Sequence, residues 1–273
     1  MVKQLRNIAL VAHGGAGKTS LAEVMLYNAG VIKRLGRVED GNTVMDFEPE
    51  ELKRTMSLST GFHQYNCKKQ TVSIIDTPGD QNFFSDTRNC MQAADGVVVV
   101  IGAVDGLKVQ TEMAWDFAGE LNLPCAIFIN KLDRERSDFF RTFKDAVDTF
   151  EPKPIILQLP IGAESEFKGV VDLIGMKAYI YNTEGKSKQV DIPSDMQELV
   201  ESEREALVEN IAETDDELLE RYLEGETLSD DDIEAALRKG ILSRAFAPVL
   251  CGSATKNIGI NLVSDFIVNC MPS

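Results

Sequence analysis

The sequence predicts an α/β fold, with a mostly parallel central sheet flanked by helices and an inserted α+β subdomain. In the first half of the chain, short apolar runs alternate with helix-like stretches. This rhythm is typical of parallel sheets with right-handed crossovers. From about residue 160 it breaks into short glycine-containing segments and then a long acidic stretch. A strand and a helix return at the end, so we place one domain over 1–159 and 246–273 and the insertion over 160–245.

The strands and helices of the main domain follow from apolar runs, turn residues and helical periodicity. The run 96–103, GVVVVIGA, is apolar on both faces, as expected of a central strand covered on each side. Ser137 is well placed as the N-cap of the helix that it begins. The predicted strands are 7–12, 61–68, 71–76, 96–103, 125–130 and 248–251. The predicted helices are 18–28, 110–121, 137–150 and 257–270.

The insertion has a different pattern. Alternation and glycines over 160–181 predict short antiparallel strands, and 182–188 is typical of a turn-rich connection. The stretch 194–242 is helical and acidic, with Ser229 as a cap over Asp232.

Composition excludes several classes of protein. With 273 residues, 44% hydrophobic and 26% charged, the chain is neither disordered nor fibrous. Its five cysteines are scattered without ligand spacing, which is typical of reduced thiols in a cytoplasmic protein. The first six residues lack the apolar stretch of a signal peptide, and the apolar run 96–104 is too short to cross a bilayer. We expect a cytoplasmic protein with no membrane partner.

The excess of acidic over basic residues is confined to the insertion. The chain carries 28 basic and 44 acidic residues, a net charge of −16, and the segment 191–236 alone holds 18 acidic and two basic residues. Such a segment repels phosphates, so we expect no direct sequence-specific binding of nucleic acid. Two interpretations stay open: solvated helix faces, or a docking surface for a basic protein partner.

A glycine-rich segment lies between the first predicted strand and the first predicted helix. It reads Ala12-His13-Gly14-Gly15-Ala16-Gly17-Lys18-Thr19 and continues with Ser20. This fits the phosphate-loop pattern, except that Ala12 replaces its first glycine. Small residues let backbone N–H groups surround phosphate oxygens, and the helix N-terminus adds partial positive charge. We expect Lys18 to reach the β- and γ-phosphates and the Thr19 hydroxyl to bind Mg²⁺.

A second motif, Asp76-Thr77-Pro78-Gly79, ends the third predicted strand. An aspartate at this position is suited to holding the Mg²⁺ shell, and the Gly79 N–H to contacting a γ-phosphate. By itself the motif is an ordinary turn.

Two further motifs follow the last two predicted strands of the main domain. In Asn130-Lys131-Leu132-Asp133, the Asp133 carboxylate is suited to accept the N1–H and exocyclic amine of guanine, which adenine does not match. Asn130 supports the other side of the base, and Lys131 lies along its face. In Gly252-Ser253-Ala254, the Ala254 N–H is suited to guanine O6. Sheets of this kind bind ligands at the carboxyl ends of their strands. The four motifs in this order therefore predict a site for GTP or GDP with Mg²⁺.

On these residues the sequence resembles the GTP-binding domain of the translational GTPases, most closely that of elongation factor G. The segments that carry the resemblance are RNIALVAHGGAGKTSLAEVMLYNAG, the DTPG turn, GAVDGLKVQTE and FINKLDRERSDF. The resemblance covers essentially the whole chain and implies a P-loop NTPase G domain, a GTPase that acts on the ribosome in protein synthesis. The insertion resembles the extra subdomain of elongation factor G, which meets the ribosomal stalk protein in that family. Since proteins of this family continue into further domains, we expect a fragment of a longer protein. We also expect a monomer.

The chain departs from the family at three places. Arg54-Thr55-Met56-Ser57-Leu58 stands where the family has Arg-Gly-Ile-Thr-Ile, and Ser57 keeps a hydroxyl at the Mg²⁺-binding threonine. Asp80 replaces the histidine that positions the attacking water after DTPG. Gly14 and Gly15 replace a bulkier residue and an aspartate.

These departures leave two hypotheses: a ribosome-stimulated GTPase whose water is positioned differently, or a GTP-dependent ribosome-binding switch with little or no hydrolysis. A nucleotide-free structural module conflicts with the intact Lys18, Asp76 and Asp133. The candidate catalytic residues are Lys18, Gly79 and Asp80. The candidate metal ligands are Thr19, Ser57 and, through water, Asp76. The candidate nucleotide-binding residues are His13, Gly14, Gly15, Ala16, Gly17, Lys18, Thr19, Ser20, Asp76, Thr77, Pro78, Gly79, Asn130, Lys131, Asp133, Gly252, Ser253 and Ala254.

Overall fold

The computed structural model describes residues 4–226 and 228–273. Its strands are β1 (Leu5–Val11), β2 (Gly61–Cys67), β3 (Gln70–Asp76), β4 (Gly96–Gly102), β5 (Cys125–Asn130), β6 (Pro154–Ile156), β7 (Gln158–Ile161), β8 (Gly169–Asp172), β9 (Lys177–Tyr181), β10 (Ser187–Val190) and β11 (Ala247–Cys251). Its α-helices are α1 (Lys18–Asn28), α2 (Pro49–Arg54), α3 (Phe84–Met91), α4 (Val109–Glu120), α5 (Phe139–Thr149), α6 (Gln197–Ala212), α7 (Asp216–Leu223), α8 (Asp230–Leu242) and α9 (Ile260–Cys270).

The central sheet has seven strands in the order β2-β3-β1-β4-β5-β11-β6. Only β2 runs antiparallel to its neighbour; the other pairings are parallel. This confirms the predicted α/β fold with a mostly parallel sheet. Since β1, β3, β5 and β11 run in the same direction, their carboxyl ends meet at one edge, where the four motifs begin.

The core lies on both faces of this sheet. Every residue of β4 and of β5 is buried, which confirms the central position expected from GVVVVIGA. Helices cover both faces, as two-sided burial of a parallel sheet requires. The core therefore fixes the strand ends from which the site loops emerge.

The insertion contains a second, antiparallel sheet in the order β10-β9-β8-β7, followed by the acidic helices α6, α7 and α8. The Ser229 side chain accepts a hydrogen bond from Asp232 N, and Asp232 completes a capping box, as predicted. Helix α7 buries none of its residues. The second sheet begins at Gln158; the division of the chain at 160 and 245 stays a prediction.

Some local predictions were wrong or incomplete. Ser137 is not the N-cap of α5: Asp138 is, accepting from Arg141 N at 3.0 Å, while the Ser137 hydroxyl donates to Leu132 O at 2.9 Å. The predicted connection 182–188 runs into β10, since residues from 187 onward form a strand. Helices α2 and α3 and strand β6 were not predicted.

Two further findings concern the cysteines and the lengths of the apolar helices. The five cysteines are all free thiols, two of them buried. Within residues 4–226 and 228–273, no helix has both the length and the apolar character needed to cross a membrane.

Candidate functional site

The glycine-rich loop joins the end of β1 to the start of α1. Gly15 and Gly17 have φ values of 82° and 100°, which glycine adopts without steric cost. A Cβ atom on Gly17 would also collide with Nδ2 of Asn130. Glycine at 17 is thus required twice, by the turn and by the approach of Asn130. The turn brings the unpaired N–H groups of the first turn of α1 to the site.

Lys18 is the buried cation of this loop. It is 5% exposed, and its Nζ donates to the carbonyl oxygens of Ala12 (3.3 Å) and His13 (3.2 Å). Burial lowers the pKa of Lys18 to about 8, an effect that nearby Asp76 opposes. Among the described residues, the hydrogen bonds of this ammonium group go only to carbonyl oxygens. It therefore lacks a full counter-charge, which an anionic ligand is suited to supply.

The Asp76-Thr77-Pro78-Gly79 turn packs directly against the glycine-rich loop. A Cβ atom on Gly79 would lie 2.5 Å from Gly14 N and 2.6 Å from His13 C, both backbone atoms, and 2.6 Å from Nζ of Lys18, so only glycine permits this approach. Thr77 Oγ1 donates to Leu10 O at 2.8 Å, which fixes the turn to β1. Thr87 Oγ1, on α3, donates to Pro78 O at 2.9 Å. The turn is held from both sides, with its glycine beside the lysine.

The end of β3, the start of α1 and the loop before β2 bring three oxygen-bearing side chains to the same place: those of Asp76, Thr19 and Ser57. Asp76 is 1% exposed, and its Oδ1 has no hydrogen-bond partner among the described residues. Burial raises the pKa of Asp76 to about 7, an effect that Lys18 opposes. Thr19 Oγ1 lies 3.1 Å from Ser57 Oγ. An orphaned carboxylate oxygen beside two hydroxyls is the donor set that Mg²⁺ prefers, so these residues fit the ion.

At the opposite end, Asn130 joins two loops. Its Nδ2 donates to Ala16 O, and its Oδ1 accepts from Ala254 N, both at 3.0 Å. The N–H of Ala254, predicted to meet guanine O6, is therefore bonded to Asn130 in this structure. Asn130 ties the glycine-rich loop to the loop after β11.

Asp133 is oriented by the loop after β11. Its Oδ1 accepts from Ser253 Oγ at 2.6 Å, and its Oδ2 accepts from Thr255 Oγ1 at 3.4 Å. Lys131 adopts a positive φ of 66°, and its Nζ lies 3.8 Å from Asp105 Oδ2. The hydroxyls of Ser253 and Thr255 thus set the orientation of the carboxylate.

His13 points away from the site. Its backbone N donates to Thr111 Oγ1 (3.3 Å), and its Nδ1 lies 3.2 Å from the same hydroxyl. Burial, together with Lys18, lowers the pKa of His13 to about 4, so the ring is neutral near pH 7. Its contribution to the site is its backbone carbonyl, which holds Lys18.

Asp80 acts as a cap. Its Oδ1 accepts from both Asn82 N and Asn82 Nδ2 at 2.8 Å, which begins the short 3-10 turn Gln81–Phe83. This carboxylate is therefore engaged by its own loop.

One cavity of about 300 Å³ connects the motifs. The predicted residues that line it are Gly14, Gly15, Gly17, Lys18, Thr19, Ser20, Ser57, Gly79, Asp80, Asn130, Lys131 and Ala254. The predicted residues that are not part of its lining are His13, Ala16, Asp76, Thr77, Pro78, Asp133, Gly252 and Ser253. The lining residues outside the predicted set are Val38, Glu39, Thr55, Met56, Arg134 and Thr255.

Two buried polar residues, which do not line the cavity but hold the loops around it, were not predicted from the sequence. Asp46 Oδ1 accepts from Ser57 Oγ at 2.7 Å, and Glu23 accepts from the backbone N–H of Gly36 (3.1 Å) and Val44 (3.0 Å). For α2 a signal existed: Glu48 caps its N-terminus in a box with Glu51, and Pro49 stands in its first turn.

Comparison with known proteins agrees with this geometry. The sequence profile of the family described as Elongation factor Tu GTP binding domain matches residues 3–273. The crystal structure of ttk003000868 from Thermus thermophilus superposes with a TM-score of 0.94 at 33% sequence identity. That match covers 99% of this chain and 41% of the Thermus chain, so this chain spans less than half of that protein. The chain belongs to the family of elongation factor Tu GTP-binding domains and is the G domain of a translational GTPase.

Proposed function

We propose that the chain is the GTP-binding domain of an elongation factor G-like GTPase that binds GTP and GDP with Mg²⁺ and hydrolyses GTP in a ribosome-linked conformational cycle. The observation that carries this is the meeting of four loops around one cavity at the carboxyl edge of the parallel sheet. The acidic insertion after β6 supports the elongation factor G-like assignment, because its position and composition resemble the extra subdomain of those factors.

At the phosphate end, the backbone N–H groups of Gly17 and the first turn of α1, with Lys18, hold the phosphate oxygens. Thr19 and Ser57 are the direct ligands proposed for Mg²⁺, and Asp76 holds it through water. When bound, the ion neutralises charge on the β- and γ-phosphates. Gly79 contacts the γ-phosphate through its N–H. Water attacks the γ-phosphorus in line with the bond to the leaving oxygen and yields GDP and phosphate.

At the base end, the Asp133 carboxylate accepts the N1–H and exocyclic amine of guanine. Ser253 fixes this carboxylate at 2.6 Å. Its remaining lone pairs can accept from guanine, whereas adenine has no N1–H to donate to them. Asn130 supports the other edge of the base by holding Ala254 and the glycine-rich loop in place, and Lys131 covers its face. Selection of guanine over adenine therefore depends on one oriented carboxylate.

Calorimetric titration with GDP, GTP, ADP and ATP in Mg²⁺ tests this assignment. We expect binding of both guanine nucleotides and at least about 100-fold weaker binding of the adenine nucleotides. Equal affinity for GDP and ADP would contradict the base assignment. Absence of binding by any of the four would contradict the proposed function as a whole.

A second candidate function has a specific observation in its favour. Both hydrogen bonds of Asp80 Oδ1 go to Asn82, so this carboxylate is engaged as a cap at the position where related factors use a histidine to position water. A GTP-dependent ribosome-binding switch with little or no hydrolysis follows if Asp80 stays engaged. Tight GTP binding, with GDP formation on ribosomes at the background rate, is the result that would favour the switch.

We further propose a cytoplasmic, monomeric protein whose partner is the ribosome, with the acidic insertion meeting the ribosomal stalk protein. Helix α7 exposes its acidic side chains and buries none of its residues, which suits electrostatic docking of a basic surface. Replacing Glu217, Glu220 and Glu224 with glutamine should weaken stalk binding and flatten its salt dependence. An unchanged affinity would favour solvated helix faces.

A further inference from the structure

The loop between α1 and β2 is organised by one buried carboxylate, that of Glu51 on α2. Glu51 is 1% exposed. Its Oε2 accepts from the backbone N–H groups of Phe47 (3.1 Å) and Glu48 (2.9 Å), before and at the start of the helix. Its Oε1 accepts from those of Leu58 and Ser59, both at 2.8 Å, after the helix. One side chain therefore joins both arms of the loop 47–59.

This arrangement needs a carboxylate. The two oxygens of an ionised glutamate offer enough lone pairs for all four donors, and hydrogen bonds from N–H groups to a charged acceptor are stronger than neutral ones. In glutamine one oxygen becomes an NH₂ group, a donor, which would face two backbone donors. Glu51→Gln therefore removes two hydrogen bonds and adds a donor–donor repulsion, without a change of side-chain volume.

The arm fixed by Oε1 carries Ser57. Ser57 directly precedes Leu58, and its Oγ lies 3.1 Å from Thr19 Oγ1 while donating to Asp46 Oδ1 at 2.7 Å. Because the serine proton is committed to Asp46, the remaining lone pairs of Ser57 Oγ are left toward Thr19. Holding Leu58 N and Ser59 N therefore holds the hydroxyl that faces the phosphate end of the cavity.

We propose that Glu51 is a positioning residue that keeps Ser57 at the phosphate end and thereby sets the preference for the triphosphate with Mg²⁺ over the diphosphate. This rests on the proposed function, in which Ser57 is a direct Mg²⁺ ligand. The diphosphate is held by Lys18 and the glycine-rich loop, which Glu51 does not contact. Loss of Glu51 therefore weakens triphosphate binding selectively.

Glu50 supplies a matched control on the same helix. Its side chain is half exposed, and its Oε1 accepts from Arg54 Nε at 2.7 Å, one turn along α2. Glu50→Gln removes one carboxylate charge from α2 without touching either arm of the loop.

The test compares GDP with a non-hydrolysable GTP analogue in Mg²⁺, by equilibrium binding to the unmodified chain, Glu51→Gln, Glu50→Gln, Ser57→Ala and the Glu51→Gln/Ser57→Ala double variant. We expect Glu51→Gln to bind the analogue about tenfold more weakly and GDP with unchanged affinity. Glu50→Gln should change neither affinity. Since Glu51 acts through Ser57, adding Glu51→Gln to Ser57→Ala should cause no further loss.

An unchanged preference in Glu51→Gln would overturn the inference. Equal weakening of both nucleotides would overturn it too, because it would show a role in folding only, and so would full additivity in the double variant. Failure of the proposed function looks different: the unmodified chain would bind neither guanine nucleotide, and both proposals would fall together.

Discussion

The two ends of the candidate site are assembled differently. At the base end, the functional side chains have partners within the site: Asn130 bonds to the backbone of Ala16 and of Ala254, and the Ser253 hydroxyl donates to Asp133. At the phosphate end, in the part of the chain that the structure describes, one oxygen of the Asp76 carboxylate has no hydrogen-bond partner and Lys18 bonds only to carbonyls. The base end thus uses its polar groups in internal hydrogen bonds, whereas the phosphate end keeps hydrogen-bonding capacity that a ligand can use. We expect loss of Lys18 to weaken binding of every nucleotide, loss of the Ser57 position to weaken binding of the triphosphate alone, and a change at Asp133 to alter which base is chosen.

The largest expected effect is at Lys18. Lys18→Ala should weaken binding of both GDP and GTP by about 1,000-fold, since it removes the buried cation facing the phosphates. Calorimetric titration checks this, with Lys144→Ala, an exposed position on α5, as the control. Retained GDP affinity in Lys18→Ala would mean that the phosphates do not lie beside this loop.

The second effect is a change of specificity. Asp133→Asn replaces an acceptor with a side chain that can also donate, which suits xanthine rather than guanine. We expect GTP affinity to fall by about 100-fold and xanthosine triphosphate to become the better ligand. Competition binding with both nucleotides measures it, with Asp148→Asn as a matched surface control. If GTP preference survives, Asp133 does not read the base.

The smallest expected effect concerns orientation at the base end. Ser253→Ala removes the 2.6 Å hydrogen bond that fixes the Asp133 carboxylate. GDP affinity should fall by about tenfold, because the carboxylate then has to be ordered by the ligand. Titration with GDP, beside Ser202→Ala on the exposed face of α6, checks this. Affinity equal to that of the unmodified chain would show that the base end is not prearranged by Ser253.

The sequence predicts what local patterns encode. The bounds of α1 and β5 agree with the structure, because glycine-rich and polar turns end them sharply. Strands β6 and β10, of three and four residues, are too short to leave a periodic signal. Their place in the sheets is set by pairing with distant strands, which no local pattern records.

The same distinction applies to the site. Each of the four motifs is a contiguous segment that follows a predicted strand, so its position at a strand end follows from the fold. The roles of Glu51 and Asp46 depend on contacts with backbone and side chains across a folded loop. The direction of His13, toward Thr111 on α4, depends on helix packing. Neither sequence motifs nor hydrophobic periodicity indicates such long-range polar contacts.

The most direct test of the account is single-turnover GTP hydrolysis by the natural protein, with and without ribosomes, beside Asp80→Ala and Asp80→His. We expect strong ribosome stimulation of the unmodified sequence and a clear loss in Asp80→Ala, since release of Asp80 from Asn82 would let it accept a proton from water. Bound GTP without stimulated hydrolysis, recovered in Asp80→His, would contradict the GTPase assignment and establish the switch.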